Sequence, residues 1–201
     1  DGGLYVVSGG LGGLGRWLCA SLLRRGAQRV LLLGRSPLEP SRRAILDEMC
    51  GGREQAVEYR QVDVGDLEAL ELVLQEARSL WGAIRGVFHV AGVADVERDG
   101  DPSLERTQRT LRPKIAGTMA LDRATAGDPL DLFVLFSSSA AWLGDFGQGS
   151  YAVGNRYQVE FAEERNLRVE REQRSGHTIA LGWPLFRDGG MDLERARIDG
   201  Y

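Results

Sequence analysis

The chain has 201 residues, 43% hydrophobic and 27% charged, enough for one domain with a real core. Its net charge of −4 argues against a broad nucleic-acid-binding surface, and no apolar run reaches the length of a membrane span. Cys19 and Cys50 show neither metal-ligand spacing nor a disulfide framework, so a reducing compartment is expected, with a cytoplasmic protein and no metal. Residues 4–8 read as a short buried strand and 14–26 as a helix, with Leu14, Leu18, Ser21 and Leu22 at helical spacing and Gly26 as its stop. Residues 29–34 form a second strand, Ser41 to Met49 a helix, and Val57 to Val62 a third strand ending at Asp63. Asp66 to Trp81 is a long amphipathic helix, and Ile84 to Val90 a fourth strand closing on Ala91-Gly92. Residues 93–102 are acidic and irregular, a loop. Ser103 can cap a helix running toward Ala126, kinked near Pro113 because proline lacks the helix hydrogen bond. Leu130 to Ser137 is the fifth strand, Tyr151 to Arg174 one long helix, and Thr178 to Gly182 the sixth strand, ended by Trp183-Pro184. The chain opens without Met and stops at Asp-Gly-Tyr, and is read as a piece of a longer protein.

Strands that are continuous apolar runs, alternating with helices, indicate a parallel sheet covered on both faces. Seven glycines fall in the first fifteen residues, which signals a local backbone task. Ser8-Gly9-Gly10-Leu11-Gly12-Gly13-Leu14-Gly15 sits between the first strand and the first helix. Glycine there lets the turn take positive φ and the backbone approach a pyrophosphate, which the helix N-terminus favours. Strand–turn–helix is the context that makes this fingerprint specific for a dinucleotide in a doubly wound α/β fold. The second strand ends Gly34-Arg35-Ser36, with no carboxylate before Glu39, so the expected cofactor is NADPH rather than NADH. Asp63, followed by Val64, either bonds the adenine edge or caps a helix. His89, ahead of Ala91 and Gly92, is expected to pack beside the nucleotide rather than act as an acid or base.

Tyr151 stands out as the proton donor. It lies thirteen residues after Ser138, and Asn155 follows one turn later on the same helix face. Ser138, at the end of an apolar run, could face it and hold a carbonyl oxygen. A free tyrosine has a pKa of about 10, and bringing it near 7 takes roughly 4 kcal/mol. A cation about 4 Å away in a partly buried site supplies a comparable amount. Position 155 is asparagine, so the usual Tyr-x-x-x-Lys is absent. The only lysine of the chain is Lys114, and arginine is no substitute for its ammonium.

Ser8 to Gly15, His89 to Gly92, Leu111 to Lys114, Phe136-Ser137-Ser138 and Tyr151-x-x-x-Asn155 together resemble the ketoreductase domain of modular polyketide synthases, within the short-chain dehydrogenase/reductase superfamily. The resemblance covers the first strand to Trp183, and exchanged Lys and Asn positions are its sharpest marker. It implies a β-ketoacyl reductase of Rossmann-like fold, doubly wound with helices on both faces. Tyr151 would donate a proton to the β-keto oxygen, Ser138 bond that oxygen, and Lys114 lower the tyrosine pKa and touch the nicotinamide ribose. Asn155 would position Lys114 or a relay water. The substrate would arrive on the phosphopantetheine arm of an acyl carrier protein. The resemblance also implies a neighbouring structural subdomain and a substrate lid beginning at 185–201. Substrate contacts are expected from Asp95, Ser139, Leu143 and Met191. Trp183 and Pro184 border the cavity or merely pack the strand end. Two stereochemical markers are not met: Ala94-Asp95-Val96 lacks the second aspartate of one class, and Leu143 stands where the other class has tryptophan. The alternatives are a stand-alone reductase of the superfamily or a silent structural domain of a synthase.

Overall fold

The computed structural model describes residues 3–93, 103–145 and 147–184. Six strands form one sheet: β1 (Leu4–Ser8), β2 (Arg29–Gly34), β3 (Val57–Gln61), β4 (Ile84–His89), β5 (Leu132–Ser138) and β6 (His177–Trp183). Their order is β3-β2-β1-β4-β5-β6, and every neighbouring pair is parallel. The helices are α1 (Gly13–Arg24), α2 (Pro40–Cys50), α3 (Leu67–Trp81), α4 (Leu104–Lys114), α5 (Ala116–Ala124), α6 (Ala140–Leu143) and α7 (Gly149–Glu170). This is the Rossmann-like, doubly wound α/β fold expected from the alternation of elements.

Side chains alternate across each strand, so adjacent residues of β2 enter different cores. Leu31 and Leu33 pack with Val87 and Leu135 against Leu70 and Leu74 of α3, Leu121 of α5 and Ala162 of α7. Val30 and Leu32 pack with Val134 against Cys19 and Leu23 of α1 and Leu46 and Cys50 of α2. Burial from both sides is why the strands read as unbroken apolar runs. β1 pairs with β2 on one edge and β4 on the other. The chain reverses its direction of winding there, which opens a crevice at the carboxyl ends of the strands.

Most element ends shift by one to a few residues, two helices differ more, and one short helix was not expected. The helix expected from Ser103 to Ala126 is two helices that meet at Ile115 (φ −93°, ψ −67°). Ser103 does cap the first, accepting the Arg106 N–H at 3.2 Å. Pro113 sits in its last turn. The last long helix runs from Gly149 to Glu170, not from Tyr151 to Arg174; Arg174 leaves the helix to pair with Asp122. α6 has four residues and gives no periodicity to read.

The inward stripe of α7 is unusual. Its buried residues are Tyr151, Gly154, Asn155, Gln158, Ala162 and Arg165. Spacings of three and four put them on one face, yet most are polar. Arg165 is 1% exposed and donates to Asp122 Oδ1 at 2.8 Å, to the Gly176 and Ser175 carbonyls and to Thr178 Oγ1. Its guanidinium also lies 4.5 Å from the centre of the Phe133 ring.

Candidate active site

A cavity of about 580 Å³ lies at the carboxyl ends of the strands. The glycine loop forms one wall. Gly9 has φ +70°, and a Cβ there would stand 2.8 Å from the Ala91 nitrogen. A Cβ on Gly15 would stand 2.4 Å from the Gly9 carbonyl oxygen. The loop therefore packs against the backbone just after β4 and against its own turn, and side chains at these positions would collide with that backbone.

Ser8, Gly9, Gly12, Gly13, Leu14, Gly15, Arg35, Asp63, Val64, Ala91 and Gly92 all line the cavity. Four residues assigned to the nucleotide stand outside its lining. Gly10 packs on Leu32 and Leu11 joins the core on the α1 side. Ser36 lies past the turn, its carbonyl accepting the Tyr59 hydroxyl at 2.5 Å. His89 is fully buried behind the wall. Asp63 is not a helix cap: Asp66 caps α3 through the Ala69 N–H. Asp63 accepts the Gly65 N–H at 2.9 Å and pairs with Arg112 at 3.1 Å.

His89 ties three elements together. Its Nε2 lies 2.8 Å from the Pro113 carbonyl, which can only accept, so Nε2 carries the proton. Nδ1 then accepts from Ser8 Oγ at 2.6 Å. Ser8 Oγ in turn accepts the Ala91 N–H at 3.3 Å. Burial pushes the imidazole down to about 3, the Lys114 charge adds to this, and the Pro113 carbonyl works the other way. A base whose folded pKa is depressed contributes stability above its unfolded pKa that is lost as pH falls. Unfolding free energy is therefore expected to fall by about 2 kcal/mol between pH 6.5 and 5, as His89 protonates only in the unfolded chain. Urea titrations over that range should show the slope in the wild type and a shallower one in His89→Gln.

The opposite wall carries the polar side chains. β5 delivers Ser137 and Ser138, the turn after it Ser139, and α7 Tyr151; all four line the cavity. Tyr151 is 8% exposed. Burial raises its pKa, hydrogen bonds from the Ser138 and Asn155 side chains lower it, and Asp145 raises it again. The expected depression by Lys114 is not among these influences. The Lys114 ammonium instead donates to the Phe136 carbonyl at 2.6 Å and to Gln158 Oε1 at 3.2 Å. Its position in the core offers it acceptors there, and burial pushes it down to about 7. Lys114 still lines the cavity. Asn155 is fully buried, donating from Nδ2 to the Tyr151 carbonyl at 2.8 Å, while Ser137 Oγ donates to the Asn155 carbonyl at 3.0 Å.

Leu143, Trp183 and Pro184 also line the cavity. The two alternatives for Trp183 are not exclusive: it lines the cavity and also stacks on Phe136 with ring centres 5.8 Å apart. Asp95, Met191 and the stretch 185–201 lie outside the described residues. Sequence reasoning missed Asp145, Gln148 and Gln158. Gln148 lines the cavity, is 4% exposed and donates to Asp145 Oδ2 at 2.6 Å. Helical spacing, seven on from Tyr151 along α7, is the signal that would have found Gln158; Asp145 and Gln148 precede the helix and carry no such signal.

A family model described as "KR domain" matches residues 3–188. The chain is similar to polyketide synthase ThaG of Burkholderia thailandensis, 41% identical over 194 residues, which are 96% of this chain and 3% of that protein. It is 38% identical over 201 residues to polyketide synthase PksL of Bacillus subtilis, covering 98% of this chain and 4% of the relative. The chain thus spans only a small part of these relatives. Among solved structures, a ketoreductase domain from the bacillaene assembly line superposes with a TM-score of 0.92 at 32% identity, covering 100% of this chain and 48% of the other.

Proposed function

The chain belongs to the KR-domain family, the ketoreductase domains of polyketide synthases, and on that premise we propose that it reduces the β-keto group of an acyl thioester with NADPH. The acyl chain is presented on the phosphopantetheine arm of an acyl carrier protein, in the cytoplasm. A structural ketoreductase subdomain and other synthase domains adjoin the catalytic domain in the intact protein. The observation that carries this reading is that the Ser138 and Tyr151 hydroxyls share one cavity with the glycine loop, and Lys114 lies in its wall.

The residues present suit a dinucleotide. The glycine loop packs so closely on neighbouring backbone at Gly9 and Gly15 that no side chain fits, and its bare backbone lines the cavity. NADPH, when bound, supplies hydride to the carbonyl carbon. Lys114, Ser138 and Tyr151 do the rest. Ser138 Oγ and Tyr151 Oη both donate to the carbonyl oxygen. Because burial raises the phenol pKa, Tyr151 is held protonated at neutral pH, the state a proton donor requires. As charge develops on the oxygen, the two preplaced donors stabilise it, and the Tyr151 proton completes the alcohol. Arg35, exposed at the end of β2 with no neighbouring carboxylate in sequence, supports recognition of a 2′-phosphate.

The test is NADPH oxidation by the intact protein with a small β-keto thioester. Turnover supports the reading; absence of both turnover and NADPH binding defeats it. Arg35→Ala is expected to raise KM for NADPH about tenfold, the size of one exposed charge-assisted contact, and to leave NADH use unchanged. An undiminished preference for NADPH would remove Arg35 from the 2′-phosphate site.

A further inference from the structure

Lys114 is the only lysine of the chain, and its ammonium is buried without an ion pair among the described residues. What holds it is a ring of neutral groups. Lys114 Nζ donates to Gln158 Oε1 at 3.2 Å, Gln158 Nε2 donates to Thr118 Oγ1 at 3.3 Å, and the Thr118 hydroxyl donates to the Lys114 carbonyl at 2.6 Å. Gln158 and Thr118 are both fully buried.

The ring fixes its own polarity. The Thr118 hydrogen is committed to a carbonyl, so its oxygen can only accept from the glutamine. The amide nitrogen of Gln158 must therefore face Thr118, and its oxygen must face Lys114. Together with the Phe136 carbonyl this occupies two of the three ammonium N–H directions. The third is left for the cavity that Lys114 lines.

We propose that Gln158 is a positioning residue for the reduction, a neutral clamp, oriented by Thr118, that aims the Lys114 ammonium into the cavity. This rests on the ketoreductase reading. Neutrality is the point of the arrangement. A carboxylate in place of the amide would hold the proton on Lys114 and draw the ammonium toward α7. The other titratable groups facing this region are His89 from β4, held neutral, and Tyr151 from α7; β5 offers a carbonyl, and α5 offers Thr118. The site thus keeps Lys114 near its midpoint at neutral pH, consistent with the depression that burial causes.

The experiment compares Gln158→Met, Gln158→Glu, Thr118→Val and Thr118→Ser in the intact protein. Two quantities are read: kcat and KM with NADPH and a β-keto thioester, and the pH midpoint of reductive methylation of Lys114, followed on its peptide by mass spectrometry. Gln158→Met, close in size but unable to accept, is expected to lose roughly tenfold in kcat with little change in KM. Gln158→Glu should raise the methylation midpoint by about one pH unit or more. Thr118→Val should lose about threefold in kcat and Thr118→Ser should recover it. A methylation midpoint and turnover unchanged in both Gln158 variants would overturn the clamp, as would equal rates in the two Thr118 variants. A midpoint that rises as expected in Gln158→Glu, with no β-keto thioester reduction even by the wild type, supports the clamp and contradicts the ketoreductase reading.

Discussion

Tyr151→Phe is expected to lower kcat for β-keto thioester reduction by about 10²–10⁴-fold, the range for loss of a positioned proton donor. The substitution removes a single oxygen. The ring keeps its place, because the side chain is 8% exposed and packed in the cavity wall. The bond from Asn155 Nδ2 goes to the Tyr151 main-chain carbonyl and survives. Ser138 also remains; in the proposed mechanism its hydroxyl still donates a hydrogen bond to the substrate oxygen but is too weak an acid to transfer its proton. NADPH affinity should therefore change little, so the loss appears in kcat. Steady-state turnover and a fluorescence titration of NADPH separate the two. A variant that reduces ketone at more than a tenth of the wild-type rate would remove Tyr151 from its role as proton donor.

The largest expected effect on stability is at Asp122. Its carboxylate is 3% exposed and accepts from Arg165 Nε at 2.8 Å and from Arg174 Nε and Nη2 at 2.9 and 3.0 Å. Removing it leaves the buried Arg165 guanidinium without a counter-charge, and such a break costs about 3–5 kcal/mol. That is a large share of the roughly 5–15 kcal/mol that holds a domain folded. Asp122→Leu should therefore lower the urea midpoint of the unfolding step that includes this domain. The double variant Asp122→Leu/Arg165→Met should recover much of the loss, because two apolar side chains can replace a buried pair with little penalty. If the double variant is as unstable as the single one, the cost comes from packing around Phe133 and not from the stranded charge.

The sheet and the glycine loop were legible because their signals are local. A strand buried on both faces must be apolar along its whole length, as in Val30 to Leu33, and a loop that passes close to neighbouring backbone must be glycine. Tyr151, Ser138 and Lys114 were found by chemistry and by number, since a lone lysine is conspicuous. The misses have different causes. The core-facing side of α7 is polar, so a search for an apolar stripe passes over Gln158 and Arg165, which are as buried as any leucine. His89 was read toward the nucleotide, but its partners, Ser8 and Pro113, lie 81 and 24 positions away. Lys114 was expected to act on Tyr151 directly, because sequence shows which cation is available and not which acceptors compete for it. The break at Ile115 was read as a kink: proline marks where a helix weakens but not whether it resumes in line.

The Ser8–His89–Pro113 connection also bears on how the chain is made. The glycine loop leaves the ribosome well ahead of the groups that lock it. At roughly 5–20 residues per second, Pro113 follows Ser8 by about 5–20 s. During that interval the nascent loop has β2 to rest on but lacks its bolt to β4 and α4. The cradle is thus synthesised before the groups that set it.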